Sequence, residues 1–143
     1  MDHIPSMRSV MTPFPYFVDA GESLLVARTL MVRHEVRHLP VKDGDKLLGV
    51  LTDRDLKRAL DPDLGLPPKD ELFVRDVFMP DPYTVDTSEP LDRVLEEMAN
   101  RHMGSVLVTS HGRLAGIFTT TDACRILCGH LRALAPRPGD DAA

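Results

Sequence analysis

Apolar positions along the chain fall into two rhythms that alternate in a fixed order. Residues 16–18 form a short β-prone run, followed by Asp19, Gly21 and Glu22 as turn and capping residues. Leu24, Ala27, Leu30 and Met31 then recur at helical spacing, which predicts a helix ending near His34. The runs 39–41 and 47–51 flank Asp43, Gly44 and Asp45 and predict a two-stranded hairpin. Thr52 opens a second helix that reaches about Leu60. Further on, Pro90 suits a first helical turn, and Leu91, Val94, Leu95 and Met98 form its stripe. Strands over 106–108 and 114–118 surround Gly112, and a helix starts at Thr119 and extends to about Leu134.

The second series is the first one repeated. A shift of 67 residues, the offset of Val77 from Val10, superimposes Pro13 on Pro80, Tyr16 on Tyr83 and Asp19 on Asp86. It continues without a gap through Leu24/Leu91, Met31/Met98, Val41/Val108, Gly49/Gly116, Thr52/Thr119 and Asp55/Asp122. The predicted fold class is therefore α/β (α+β), built from two βαββα units. Unit 1 spans 1–62 and unit 2 spans 73–134. A linker rich in proline, glycine and acid covers 63–72, and a tail at 135–143 is expected to be disordered. One unit alone is near the size at which a core is marginal, so the halves should bury faces against each other.

Composition narrows the function. The 143 residues carry a formal charge of −5, with two tyrosines, five phenylalanines and no tryptophan. Neither a basic field nor stacking platforms for nucleic acid are in place. Residues 1–11 lack the apolar run of a signal peptide, and no stretch reaches the length of a membrane span. Cys124 and Cys128 lie four apart on a predicted helix, where buried, reduced thiols are expected. A cytoplasmic protein fits these features. His34, His38, His102, His111 and His130 lack zinc spacing, and neither a Gly-x-Ser-x-Gly nor a P-loop motif is present. The expectation is a non-enzyme with no metal and no catalytic cofactor.

Chemistry concentrates where each copy's last strand meets its last helix. The motif is Gly49-Val50-Leu51-Thr52-Asp53-Arg54-Asp55, and again Gly116-Ile117-Phe118-Thr119-Thr120-Thr121-Asp122. A threonine with an acid three residues on is close to a capping box, which satisfies the free amides of a helix start. The same geometry suits a ligand. A helix N-terminus attracts phosphate, the hydroxyl can donate to it, and the carboxylate can accept both hydroxyls of a ribose. Glycine in the strand keeps the wall thin enough for a flat base to approach. Both readings stand on sequence alone.

Further pieces are Val10-Met11-Thr12-Pro13, Val36-Arg37-His38-Leu39-Pro40-Val41 and Met103-Gly104-Ser105-Val106-Leu107-Val108. In this order, and doubled at one spacing, the pieces resemble a pair of cystathionine-β-synthase (CBS) domains, a Bateman module, over residues 7–130. The resemblance implies two units packed about a pseudo-twofold axis, with short mixed sheets flanked by helices. It also implies clefts for an adenosyl ligand: AMP, ADP or ATP, an NAD-type dinucleotide, or S-adenosylmethionine. Carried over, Asp55 and Asp122 would hold ribose, and Thr52 and Thr119 would face phosphate. Val36, Arg37, His38 and Leu39, with Met103, Gly104 and Ser105, would line the adenine. Thr12 and Pro13 would close one cleft, with Met79 and Pro80 as their counterparts. A homodimer forming a four-unit disc, and a separate effector protein that reads a conformational change, follow from the same resemblance.

The copies depart from each other in ways that predict unequal clefts. Met79 stands where the first copy has Thr12, Thr121 where it has Arg54, and Gly104-Ser105 where it has Arg37-His38. With Arg37, His38 and Arg54 grouped around the first motif, the tighter ligand is expected at Asp55. The competing expectation is a ligand-independent dimerisation scaffold, in which the threonines and aspartates are caps alone.

Overall fold

The computed structural model describes residues 3–64, 72–135 and 137–139. The first copy supplies α1 (Met7–Val10), β1 (Thr12–Pro13), β2 (Val18–Asp19), α2 (Leu24–His34), β3 (His38–Asp43), β4 (Lys46–Thr52) and α3 (Asp53–Ala59). The second supplies β5 (Met79–Pro80), β6 (Thr84–Asp86), α4 (Leu91–Arg101), β7 (Ser105–Ser110), β8 (Arg113–Thr119) and α5 (Thr120–Leu134). Helices and hairpins stand where the hydrophobic pattern puts them. Pro90 is displaced by one position, being the extended residue before α4 rather than a member of its first turn. Of the expected linker 63–72, residues 65–71 lie outside the described residues, as do 136 and 140–143 of the expected tail.

The local chemistry of each element is simple. The Ser23 hydroxyl accepts the Val26 N–H at 3.3 Å and starts α2, which stops at Glu35 in the left-handed region (φ 53). His102 (φ 53) ends α4 in the same way. The hairpin turns use Gly44 (φ 60) and Gly112 (φ 78), a backbone region glycine enters without steric cost. Inner-face residues Leu24, Ala27 and Met31 of α2, and Leu91, Val94 and Met98 of α4, are buried against the sheets.

Strand pairing crosses between the copies. One sheet runs β2-β3-β4-β5 and the other β1-β8-β7-β6. The first unit's edge strand, β5, thus comes from the second copy, and β1 of the first copy completes the other sheet. Pairing is antiparallel, Gly49 with Pro80 and Gly116 with Pro13. Buried apolar residues follow the exchange. Met7 lies wholly within the second core with Leu91, Val94 and Phe118, and Val74 lies within the first with Leu24, Leu39 and Leu51. Between the sheets, Val50, Leu107 and Ile117 form a third cluster that joins the units.

This exchange explains the motif glycines. A Cβ on Gly49 would collide with the Met79 carbonyl and come within 2.7 Å of the Phe78 ring. One on Gly116 would strike the Met11 side chain and come within 2.9 Å of the Thr12 carbonyl oxygen. The space over each glycine is filled by the crossing strand, not left for a base, which corrects the thin-wall expectation.

The cysteines need a second correction. Cys124 and Cys128 are free but exposed. Helix α5 has no fully buried residue; it packs through half-buried Ala123 and Ile126, and positions 124 and 128 point the other way. No helix among the described residues is long and apolar enough to cross a membrane.

Candidate functional site

Each motif threonine and aspartate does form a helix start. In the first copy the box is reciprocal: the Thr52 N–H donates to Asp55 Oδ2 at 3.2 Å, and the Asp55 N–H to Thr52 Oγ1 at 3.1 Å. The second is one-sided. Asp122 Oδ2 accepts both the Thr119 N–H (2.9 Å) and the Thr119 hydroxyl (3.2 Å), while Oδ1 faces Arg125 Nη1 at 3.8 Å. That ion pair is exposed on its arginine side and contributes little to stability.

Packing the sheets about the pseudo-twofold axis brings the end of α2 and the start of β3 opposite the start of α5. The result is a cavity of about 420 Å³ lined by Glu35, Val36, Arg37 and His38 from the first unit and Ile117, Thr119, Thr121, Asp122 and Arg125 from the second. Thr12, carried over on β1, completes the lining. Its size lies within the roughly 300–1,000 Å³ of small-molecule sites. Asp122 is therefore bonded to its own chain and exposed to a cavity at once.

The cavity regroups the sequence candidates. Arg37 and His38 share it with Asp122, while His38 also pairs with Thr52 across β3 and β4, so these residues stand between the two motifs. Applying the 67-residue shift to the lining gives the counterpart cleft as Val50, Thr52, Arg54, Asp55, Met79, His102, Met103, Gly104 and Ser105, with Arg58 for Arg125. Pro13 and Pro80 are exposed strand residues paired to the motif glycines. Leu39 is fully buried in the first core, so its side chain is withdrawn from any cleft, and Ser105 is 8% exposed. Met103 and Gly104 line a groove between α4 and α5. Glu35, Ile117 and Arg125 were not singled out from sequence. Arg125 carried a signal, its place one turn beyond Asp122, and Ile117 lay inside the repeated motif; Glu35 had none.

Electrostatics separate the walls. His38 is half-buried, and its pKa is lowered from the usual 6.5, first by desolvation and then by Arg37, against an upward pull from Asp53 and Asp55. Its Nε2 would lie 3.5 Å from a Cβ on Gly104, so the imidazole spans the seam between units. An uncharged imidazole beside a guanidinium leaves a site that can gain positive charge when an anion arrives.

The sequence model of the CBS domain matches residues 7–62 and 74–129. The chain belongs to the CBS domain family. Among relatives of this CBS pair, Hypoxic response protein 1 of Mycobacterium tuberculosis is 33% identical over 129 residues, covering 86% of this chain and 85% of its own. The AcuB protein from Vibrio cholerae has a solved structure that matches with a TM-score of 0.79 at 26% identity, over 94% of this chain and 98% of that one. The structure of CBSX2 in complex with AMP matches at a TM-score of 0.75 and 26% identity, over 90% and 99%. Other curated relatives are far longer. The CBS pair spans 24% of an L-aspartate semialdehyde sulfurtransferase, 11% of an A-adding tRNA nucleotidyltransferase and 20% of an inosine-5'-monophosphate dehydrogenase.

Proposed function

We propose that this CBS pair is a non-catalytic regulatory module that binds an adenosine phosphate (AMP, ADP or ATP) in the cavity containing Asp122. The observation that carries the reading is the convergence of Arg37 and His38 from one half with Thr119 and Asp122 from the other on a single cavity. Asp122 offers a carboxylate to ribose hydroxyls, Thr119 and the free amides of α5 face phosphate, and Arg37 supplies a fixed cation. A ligand bridging both halves favours one angle between them, and a separate effector protein reads that angle. The shift is only as large as the ligand's preference for one arrangement over the other. AMP in the related CBSX2 structure supports the ligand class. We place the tighter site at Asp122 rather than Asp55, because under the 67-residue shift the counterpart cleft has Gly104 and Ser105 where this cavity has Arg37 and His38.

The module acts as a homodimer through its outer helix faces, and two exposed free thiols suit a reducing compartment such as the cytoplasm. The hydrogen bonds within the two motifs, reciprocal in the first and one-sided in the second, favour a second reading, an assembly scaffold in which Thr52, Asp55, Thr119 and Asp122 are caps alone. Titration calorimetry with AMP, ATP, NAD and S-adenosylmethionine separates the two. Wild-type protein should bind AMP or ATP, Asp122→Asn should lose at least about tenfold in affinity, worth about 1.4 kcal/mol, and Arg37→Ala should lose discrimination between AMP and adenosine. No heat from any of these compounds at millimolar concentration, or an Asp122→Asn variant that binds like wild type, would leave the scaffold.

A further inference from the structure

Helix α2 ends on an acid that its own capping does not call for. The N–H groups of Glu35 and Val36 both donate to the Met31 carbonyl, the second at 3.1 Å, and Glu35 sits in the left-handed region at φ 53. Glycine or asparagine takes that position with less strain, so the cap itself asks for no carboxylate. Glu35 makes no ion pair among the described residues. It lines the cavity that holds Thr119 and Asp122, on the same wall as Arg37.

The formal charges around the cavity cancel. Arg37 and Arg125 are its cations, and Glu35 and Asp122 its carboxylates. His38 adds none at neutral pH, because desolvation lowers its pKa from 6.5. In the counterpart cleft given by the 67-residue shift, His102 at φ 53 replaces Glu35 and Arg54 replaces Thr121. The acid therefore belongs to this cavity and is not imposed by the repeat. A single phosphate carries about −1.5 to −2 at pH 7, and each further one adds negative charge. Arg37 and the α5 amides can offset the first. A longer phosphate chain brings more negative charge into a lining that already holds an unpaired carboxylate, and like charge in a partly desolvated site disfavours binding.

We infer that Glu35 is a specificity-determining residue that restricts this cavity to a monophosphate, so that AMP binds in preference to ADP and ATP. The inference rests on the nucleotide reading above and names the ligand within it. Arg37 selects for the presence of a phosphate, and Glu35 selects against its extension.

Titration calorimetry on the full chain tests this, in EDTA so that no divalent cation bridges phosphate and carboxylate. Every titration uses an Asp55→Asn background, which removes the counterpart cleft's ribose carboxylate and keeps an acceptor oxygen for the α3 cap. AMP should bind at least about tenfold more tightly than ATP. Glu35→Gln should narrow that ratio by at least about threefold, and Glu35→Lys should bring ATP level with AMP or above it, because each step removes like charge. The affinity of uncharged adenosine, read by displacement of AMP, should stay within about twofold in Glu35→Gln, a result that also shows the cavity to be folded. ATP binding as tightly as AMP while Glu35 is in place overturns the inference. So does a Glu35→Gln variant that shifts adenosine, AMP and ATP by one common factor, the mark of a purely structural role. If none of the three binds, the nucleotide reading itself falls, and the specificity residue with it.

Discussion

Met7 offers the sharpest test of the exchanged architecture. It belongs to the first sequence copy, yet its side chain is fully buried among Leu91, Val94, Met98 and Phe118 in the second core, and its N–H donates to the Glu89 carbonyl at 2.9 Å. Truncating a buried methionine to alanine costs about 2–5 kcal/mol, the lost transfer energy plus the cavity left behind. In a protein of this size each kcal/mol moves Tm by about 2–4 °C. Met7→Ala should therefore lower Tm by about 6–12 °C for a loss near 3 kcal/mol, read by differential scanning calorimetry. Leu24→Ala is the matched control: it is equally buried, in the first core, and stands at the start of α2 away from the cavity. Both variants should melt early, but only Met7→Ala should also weaken AMP binding, because Met7 anchors the segment that delivers Thr12 to β8. A Met7→Ala chain melting within about 2 °C of wild type would refute the placement. Equal loss of AMP affinity in both variants would refute the link between strand exchange and cleft.

Other expectations follow from single contacts. Gly49→Ala should cost about 1–3 kcal/mol in urea unfolding, since its Cβ meets the Met79 carbonyl and the Phe78 ring; unchanged stability would mean that β5 yields freely. Loss of a one-sided cap should make Asp122→Ala about 0.5–2 kcal/mol less stable without ligand, while Asp122→Asn, which keeps one acceptor oxygen, should lose less; comparing the two by thermal melting checks the ordering. The lowered pKa of His38 has a definite sign. The unfolded chain takes up a proton near pH 6.5 and the folded chain does so only at lower pH, so this histidine's contribution to stability is intact above 6.5 and declines as pH falls toward its folded value. His38→Gln should flatten that decline in urea titrations carried out across the interval; an unaltered slope would assign it to other groups.

The helices and hairpins were legible because burial against a sheet imposes period and turn chemistry on local sequence, as at Leu24, Ala27 and Met31 or at Gly44. The repeat was legible for the same reason, since both copies solve one packing problem. Partners chosen across the molecule were not. Strands of two residues, Thr12–Pro13 and Met79–Pro80, carry no periodic signal, so nothing local announced that they cross between units. The approach of Arg37 and His38 to Asp122 likewise depends on how two sheets meet. The cysteines show a different limit: spacing placed Cys124 and Cys128 on one side of α5 but could not say which side faced the core. The motif glycines were expected to admit a flat base, but the space over them is taken by Phe78 and Met79 in one case and by Met11 and Thr12 in the other, a crossing that no local pattern signals.

The swapped edge strands also constrain how such a molecule could have arisen or be taken apart. A solitary copy made by gene truncation would lack the neighbour's two-residue ribbon. It would leave β4 or β8 open along one margin, a template for pairing with any other polypeptide. It would also lose an internal plug, Val74 in one case and Met7 in the other. Duplication here is therefore a mutual dependency: each half borrows an edge strand and a core side chain from the other.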